Sequence, residues 1–168
     1  IPVCTAAHSR YLDPVLEEFS RGVHQMRLSP PRIPYVTNPT GTWVRPEEAT
    51  DPRHWVRHFR QPVRFAEGLA EILREPDRVL LEVGPGHSLC SLARIQPGKA
   101  RAIIPSLPKP TDAVCDRRHA IASFGRLWMA GAPVSFAKLR GEGRRRRVSL
   151  PTYPFEHRPY WIDPGRSA

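Results

Sequence analysis

Apolar residues recur at helical spacing in several stretches of the chain, and two of these stretches follow a residue suited to begin a helix. Asp13-Pro14 and Asp51-Pro52 each combine a side chain that can cap a helix with a proline, which the first helical position tolerates. One helix is therefore predicted to begin near Asp13 and another near Asp51, with Pro62 breaking the second into two pieces. The apolar positions behind these predictions are Val15, Leu16, Phe19 and Val23, then Trp55, Phe59 and Val63, then Phe65, Leu69, Ile72 and Leu73.

The segment Arg78–Val83 gives the clearest strand, because a continuous apolar run is typical of a strand buried on both faces. Gly84-Pro85-Gly86 then turns the chain into a predicted helix from Ser88 to about Ile95. Helix, strand, glycine turn and helix is the order found in an open parallel sheet, so the predicted fold class is α/β. Shorter strands are predicted at Ile1–Cys4, Ile33–Asn38 and Ile103–Ile104.

The character of the sequence changes after Pro105, where prolines become frequent. One more helix is predicted at His119–Ala130, with Ile121, Phe124, Leu127 and Trp128 on one face. The segment Val148–Trp161 combines proline with large aromatic residues that it cannot bury within itself, so it is predicted to lie extended over another surface. We therefore expect a folded part at residues 1–105 and an extended linker at residues 106–168.

The chain carries 26 basic and 16 acidic residues, and 23 of the basic residues are Arg, since Lys occurs only at positions 99, 109 and 138. This excess raises the possibility of nucleic-acid binding. The densest basic run, Arg144–Arg147, has no aromatic residues between its charges, which favours a solvated basic linker or one docked on an acidic partner surface. The abundance of Arg is equally typical of a GC-rich genome.

Three cysteines without a recognisable spacing, at positions 4, 90 and 115, predict neither a disulfide framework nor a metal site and fit a reducing cytoplasm. No stretch approaches the ~20 apolar residues that would span a bilayer. The chain begins with Ile1 and shows no signal peptide, so we expect that it starts within a longer protein.

Three groups of residues are candidates for chemistry. Gly86-His87-Ser88 resembles part of a nucleophile elbow, but Cys90 stands where a second glycine is needed, and Ser88 fits a helix cap better. His54 and His58 are four apart on a helix, yet Trp55 occupies the place of the glutamate in a zincin motif, so no metal is expected. His8, between a short apolar run and the first helix, is the remaining candidate for proton transfer.

In five stretches the sequence resembles the carboxyl-terminal part of the malonyl-CoA:acyl carrier protein transacylase family, in its modular polyketide synthase form. The last stretch looks like the linker that follows such domains. The stretches are Ala7-His8-Ser9 with Leu12–Val15; Tyr35–Asn38 with Thr40-Gly41; Trp55–His58 with Pro62–Phe65; Leu81–Gly86; and Leu150–Phe155 through Tyr160-Trp161.

This resemblance implies an α/β-hydrolase-like large subdomain, in which residues 1–105 form the carboxyl-terminal part. In the family, a serine in Gly-His-Ser-x-Gly attacks an acyl-CoA thioester, and a histidine activates it. His8 matches that histidine, whereas the serine is expected upstream and outside this chain. A backbone carbonyl orients the imidazole in this family, and position relative to Pro62-Val63 assigns it to His58 or a neighbour.

The resemblance further implies a choice of extender unit by the four residues that end at the histidine. The family uses His-Ala-Phe-His for malonyl and Tyr-Ala-Ser-His for methylmalonyl groups, and here Thr5, Ala6 and Ala7 precede His8. The small side chain of Ala7 leaves room for a branch on the α-carbon, but an unfilled pocket discriminates weakly against malonyl. The extender therefore stays open between malonyl and alkylmalonyl.

No bound cofactor or metal is expected; the substrates implied are an acyl-CoA and the phosphopantetheine thiol of an acyl carrier protein. The implied partners are the upstream half of the acyltransferase domain, the carrier protein and a neighbouring ketosynthase domain, with no nucleic acid and no membrane. A non-catalytic scaffold, in which the chain only positions neighbouring domains of a megasynthase, is the alternative to catalysis.

Overall fold

The computed structural model describes residues 6–139 and 148–161. The chain divides into two compact units, residues 1–135 and 136–168. The first described element of the first unit is a 3-10 helix, Arg10–Val15, and its other described elements are α1 Leu16–His24, β1 Val36–Thr37, β2 Thr42–Trp43, α2 Pro46–Thr50, α3 Pro52–Arg60, α4 Phe65–Ile72, β3 Val79–Glu82, α5 Ser88–Arg94, β4 Ala102–Pro105 and α6 Asp116–Met129. The α/β class is confirmed. The strand predicted at Ile1–Cys4, residue Thr5 and the run Arg144–Arg147 lie outside the described residues.

The first helical segment begins earlier than its sequence predicts. Ser9 caps the 3-10 helix through its hydroxyl, which accepts a hydrogen bond from the Tyr11 amide at 3.3 Å, so the expected start at Asp13 is wrong. The Asp13 carboxylate is instead paired with Arg60 on α3. Because Pro14 lies inside this tighter turn, the regular α-helix starts only at Leu16.

The start of α3 agrees with its sequence. Asp51 is the cap and accepts a hydrogen bond from the Arg53 amide at 2.9 Å, while Pro52 occupies the first helical position. Helix α3 packs against α1, where the rings of Phe19 and Phe59 stack with centroids 4.4 Å apart. Such a pair contributes about 0.5–1.5 kcal/mol beyond its buried area.

A tight hairpin connects α1 to α2. Strands β1 and β2 are antiparallel, with Val36 opposite Trp43 and Thr37 opposite Thr42. The connecting turn needs Gly41, whose φ is +68° and where an added Cβ would lie 2.7 Å from the Cβ of Glu67 on α4. The strand expected at Ile33–Asn38 is therefore only two residues long, because the chain turns at Asn38.

Strands β3 and β4 pair in parallel, from Val79 opposite Ala102 to Glu82 opposite Pro105. Helices α5 and α6 pack against β4, and the buried Ser123 hydroxyl of α6 donates a hydrogen bond to the Pro105 carbonyl at 2.7 Å. The expectation that the first of these strands is buried on both faces fails among the described residues, since Leu81 is 42% exposed and the adjoining Val83 is 83% exposed.

Helix α6 is longer than predicted and presents a different face to the sheet. It spans Asp116–Met129, and its less exposed positions include Ala120, Ser123, Phe124 and Leu127. Ile121 and Trp128, which the sequence placed on the apolar face, are 52% and 62% exposed. The reason is that the polar Ser123 is at the contact with β4, which rotates the buried stripe away from both residues.

The cap of α5 is a carboxylate from β3, and the expectation for Ser88 is wrong. The two carboxylate oxygens of Glu82 accept hydrogen bonds from the Leu89 and Cys90 amides at 3.0 and 2.8 Å. Burial would raise the pKa of Glu82, but these amides outweigh it and lower the pKa below its usual range. The glycine turn makes this possible, because Gly84 and Gly86 have φ values of +139° and +99°.

Replacement of Glu82 should reveal this cap. Glu82→Gln is expected to lower the free energy of unfolding by about 1–3 kcal/mol, because a neutral amide offers one acceptor where the carboxylate offers two. Ser88→Ala, in the same turn, should change it by less than about 0.5 kcal/mol. Denaturant unfolding of both variants measures the difference, and equal losses would contradict the assignment of Glu82 as the cap.

Among its described residues, the second unit has one short helix, α7 Phe136–Leu139, and the segment 148–161, which has no regular secondary structure. The segment leaves large apolar side chains exposed, namely Val148, Leu150, Tyr153, Phe155, Tyr160 and Trp161. Within it the rings of Tyr153 and Phe155 are in edge contact, with centroids 4.9 Å apart. The division expected at residue 105 stays a prediction; the first compact unit extends to residue 135.

Candidate active site

His8 lies in a sharp turn just before the 3-10 helix. Its φ is +57°, a left-handed conformation that a non-glycine residue adopts at a cost of order 1 kcal/mol. The next residue holds this turn closed, since the Ser9 hydroxyl donates to the Ala6 carbonyl at 2.6 Å and accepts from the Tyr11 amide. The side chain of His8 therefore leaves the backbone in a direction that the turn determines.

The imidazole of His8 is bonded to the backbone of a distant segment. Its Nδ1 lies 2.9 Å from the carbonyl oxygen of Gln61. A carbonyl oxygen only accepts hydrogen bonds, so Nδ1 carries the proton and donates it. The neutral ring then has its free lone pair on Nε2, which is the arrangement needed for a base.

The carbonyl that orients His8 belongs to Gln61, and the assignment to His58 is corrected. His58 lies inside α3, where carbonyl groups point along the helix axis. Gln61 is the residue that ends the helix: its own N–H still donates to the Arg57 carbonyl, but its ψ of 157° turns its carbonyl away from the axis. Pro62 follows and cannot continue the helix.

Two further contacts hold the segments that carry His8 and Gln61 together. The carboxylate of Asp13, in the 3-10 helix, pairs with the guanidinium of Arg60, the last residue of α3. The stacked rings of Phe19 and Phe59 join α1 to α3 close by. Both contacts lie near the His8–Gln61 hydrogen bond in sequence, so they limit the relative movement of its two partners.

Helix α3 carries two more histidines, His54 and His58. His54 is 1% exposed, and its Nε2 lies 3.0 Å from the hydroxyl of Thr37 on β1. The ring of His58 has its centroid 6.5 Å from that of His54 and 6.3 Å from that of His8, and its buried Nδ1 has no hydrogen-bond partner among the described residues. Burial lowers the pKa of both side chains, and for His58 the neighbouring His54 and His8 lower the pKa further.

His54 makes structural contacts, a role that the sequence analysis did not identify. Its bond to Thr37 anchors α3 on the hairpin, and the Trp55 indole donates to the Ala49 carbonyl at 2.9 Å beside it. Within residues 6–139 and 148–161, no group of three or more His, Cys, Asp or Glu side chains is arranged to hold a metal ion.

The buried His54 should make stability fall in mild acid. Its pKa is lower in the folded than in the unfolded protein, so the unfolded chain binds the proton more readily. The free energy of unfolding therefore has its full value at pH values above about 6.5, the ordinary histidine pKa, and it declines as the pH falls below that value. His54→Gln, which keeps a polar partner for Thr37, should reduce this decline in denaturant unfolding between about pH 7.5 and 5.5. If the free energy of unfolding of the variant depends on pH as that of the wild type does, the decline in acid does not come from His54.

The other candidate chemistry of the sequence does not join His8. Ser88 is exposed at the start of α5, and Cys90 behind it is buried. Burial, together with the adjacent Glu82 carboxylate, raises the pKa of the Cys90 thiol to about 11, so it is protonated at neutral pH and a poor nucleophile. Among the described residues, the hydrogen bonds of the His8 ring include the Gln61 carbonyl and no hydroxyl or thiol.

The residues expected to select the acyl group are partly described. Ala6 and Ala7 are exposed and precede His8 directly, so these two positions present only methyl groups. None of the described helices is long and apolar enough to cross a membrane.

The described α/β unit presents an imidazole with Nδ1 bonded to a backbone carbonyl and Nε2 free, the hydrogen-bonding arrangement that the base of a nucleophile–histidine pair requires. Comparison with known families agrees: residues 1–126 match the family model described as the acyl transferase domain. The chain belongs to this family of enzymes, and the relatives it resembles are polyketide synthases.

Two curated relatives illustrate the similarity. A phenolphthiocerol/phthiocerol polyketide synthase of Mycobacterium tuberculosis is 35% identical over 164 residues, which cover 96% of this chain and 11% of that protein. The spectinabilin polyketide synthase system protein NorB of Streptomyces orinoci is 33% identical over 162 residues, covering 94% of this chain and 7% of that protein. The chain therefore spans a small part of the relatives that it matches.

Two solved structures show the same fold. The acyl transferase domain of SpnD, in complex with 2-(pent-4-yn-1-yl)malonyl, is 44% identical with a TM-score of 0.72, covering 76% of this chain and 31% of that one. The acyl transferase domain of ZmaA is 36% identical with a TM-score of 0.77, covering 88% of this chain and 34% of that one. The chain thus spans about a third of these domains.

Proposed function

We propose that this chain supplies the catalytic base of a polyketide synthase acyltransferase. In this proposal a malonyl-type acyl group passes from coenzyme A to a serine, and then to the phosphopantetheine thiol of an acyl carrier protein. The observation that carries it is the hydrogen bond from Nδ1 of His8 to the Gln61 carbonyl, which leaves Nε2 as the proton acceptor. Membership of the acyl transferase family supports the reaction class.

The first half-reaction begins when Nε2 of His8 takes the proton of the serine hydroxyl as its oxygen attacks the thioester carbonyl. The imidazolium that forms is stabilised by the Gln61 carbonyl on its other side. When the tetrahedral intermediate collapses, the C–S bond breaks and His8 returns the proton to the departing thiolate. An acyl ester on the serine and free coenzyme A are the products.

The second half-reaction repeats these steps with a different thiol. His8 takes the proton of the carrier's phosphopantetheine thiol, whose sulfur attacks the acyl ester, and then protonates the serine oxygen as it leaves. The proton and the acyl group are both accounted for, and the enzyme returns to its starting state. The proposed steps use no metal and no bound cofactor.

The serine belongs, in this proposal, to a Gly-His-Ser-x-Gly segment outside these 168 residues. The chain spans about a third of the solved acyltransferase domains, which leaves the nucleophile and the remaining substrate contacts to other parts of the protein. The described α/β unit would then be the carboxyl-terminal part of an α/β-hydrolase-like large subdomain. The segment that ends in the exposed aromatics would be the linker to the next domain, with a ketosynthase as another neighbour.

The acyl group is proposed to be malonyl or an alkylmalonyl. Ala6 and Ala7 place no bulky side chain beside His8, and this allows a branched α-carbon. The related SpnD domain was solved with 2-(pent-4-yn-1-yl)malonyl, a malonyl group substituted on its α-carbon, which supports a branched extender. Because empty space alone does not reject malonyl, both extenders remain within the proposal.

Replacement of His8 tests the proposed base. In the complete acyltransferase domain, His8→Ala is expected to lower formation of the acyl-serine from malonyl- and methylmalonyl-CoA by about 10²–10⁴-fold or more, the contribution typical of a positioned general base. Intact-mass spectrometry of the protein after mixing with acyl-CoA measures this step.

Gln61→Ala is the matched control. Its exposed side chain is removed while the carbonyl that orients His8 stays, so acylation should remain within about threefold of the wild type. Near-normal acylation of His8→Ala would exclude His8 as the base. Complete absence of acyl-serine in the wild-type domain would instead favour the scaffold alternative.

A further inference from the structure

One polar atom near the proposed base has no partner to explain its burial. Nδ1 of His58 is buried and makes no hydrogen bond among the described residues. The ring itself meets the ring of His8 edge to face, with centroids 6.3 Å apart and planes inclined by 64°. A buried nitrogen without a hydrogen-bond partner destabilises a protein. Its presence beside the proposed base therefore calls for a compensating role of the His58 side chain.

A single hydrogen bond does not hold an imidazole in one orientation. The Cβ–Cγ bond and the hydrogen bond from Nδ1 to the Gln61 carbonyl together set the mean position of the His8 ring, but a hydrogen bond accepts a broad range of angles, so rotation about χ1 and χ2 can still tilt the ring or separate it from the carbonyl. Nε2, the atom that exchanges the proton, lies on the far side of the ring and would move most. A second contact against the ring is needed to keep Nε2 in place.

We propose that the ring of His58 is this second contact, which makes His58 a positioning residue for His8. The inference rests on the proposed function of His8 as the base. The flat ring of His58 limits the rotation of the imidazole, so Nδ1 stays on Gln61 and Nε2 stays directed at the reacting hydroxyl or thiol. The side chain of His58 acts here, whereas its backbone carbonyl does not.

The surroundings of His58 hold its ring in place. Helix α3 carries it, and the Trp55 and His54 rings lie 6.0 and 6.5 Å away on the same helix. His54 is in turn fixed to Thr37 of the hairpin. The contact on His8 is therefore part of a packed series of rings that extends from the hairpin to the proposed base.

The charge state of His58 is compatible with this role. Burial and the neighbouring His54 and His8 lower the pKa of His58, so it is neutral at neutral pH. When His8 becomes an imidazolium during transfer, it faces an uncharged ring and not a second cation. A residue with a permanent positive charge at this position would oppose protonation of His8.

Three variants of the complete acyltransferase domain test the inference. His58→Phe keeps a flat ring without nitrogens, His58→Leu keeps a similar volume without a flat ring, and Arg57→Ala removes an exposed neighbour on the same helix as the control. His58→Leu is expected to lower kcat for carrier loading about tenfold with KM for the acyl-CoA changed less than about twofold. His58→Phe and Arg57→Ala should remain within about threefold of the wild type.

The ¹⁵N signals of the His8 ring supply a readout that loss of stability alone would not produce. With Leu at position 58 they should report a mixture of the two neutral tautomers, and with Phe the single Nδ1-protonated form of the wild type. Wild-type kcat in His58→Leu, or equal losses in the Leu and Phe variants, would overturn the role of the ring. The His8→Ala domain separates the two proposals: if it is inactive while His58→Leu is fully active, only the role of His58 fails.

Discussion

One hydrogen bond, from Nδ1 of His8 to the backbone carbonyl of Gln61, determines which nitrogen of the imidazole is free to accept a proton. It joins residues 53 positions apart, and it decides which imidazole nitrogen carries the proton. The surrounding structure maintains it from both ends: the Ser9 turn sets the direction in which His8 leaves the backbone, and the end of α3 turns the Gln61 carbonyl outward. The pairing of Asp13 with Arg60 and the stack of Phe19 on Phe59 keep the two ends together.

A carbonyl in this place would suit the role proposed for His8, that of a base that changes charge during the reaction. A carboxylate would bind the imidazolium more strongly, whereas a carbonyl orients the ring and stabilises the positive charge without adding a full negative one. The histidines behind it are consistent with such a balance, because burial lowers the pKa of His54 and His58 and leaves both uncharged.

The parts of this arrangement that sequence could predict are those with local signals. The Asp51-Pro52 start of α3 was predicted correctly because the cap and the proline are adjacent to the helix they begin. The cap of α5 was not, because Glu82 lies on the preceding strand and reaches its amides across a glycine turn. Gln61 was missed for a different reason: the group that acts is a backbone carbonyl, which every residue has, so no side-chain pattern identifies it.

Strand β3 shows how an apolar sequence pattern can differ from the exposure of the same side chains in the structure. Its continuous apolar sequence predicts two covered faces, yet Leu81 and the adjoining Val83 are exposed. Evolution selects a sequence in the complete domain, so apolar residues are expected at every position that is covered in that domain. The solved relatives are about three times as long as the part matched here, so such a domain has the material to cover both residues. In the proposed function the same reasoning applies to His8, whose free Nε2 would face a nucleophile supplied by another part of the domain.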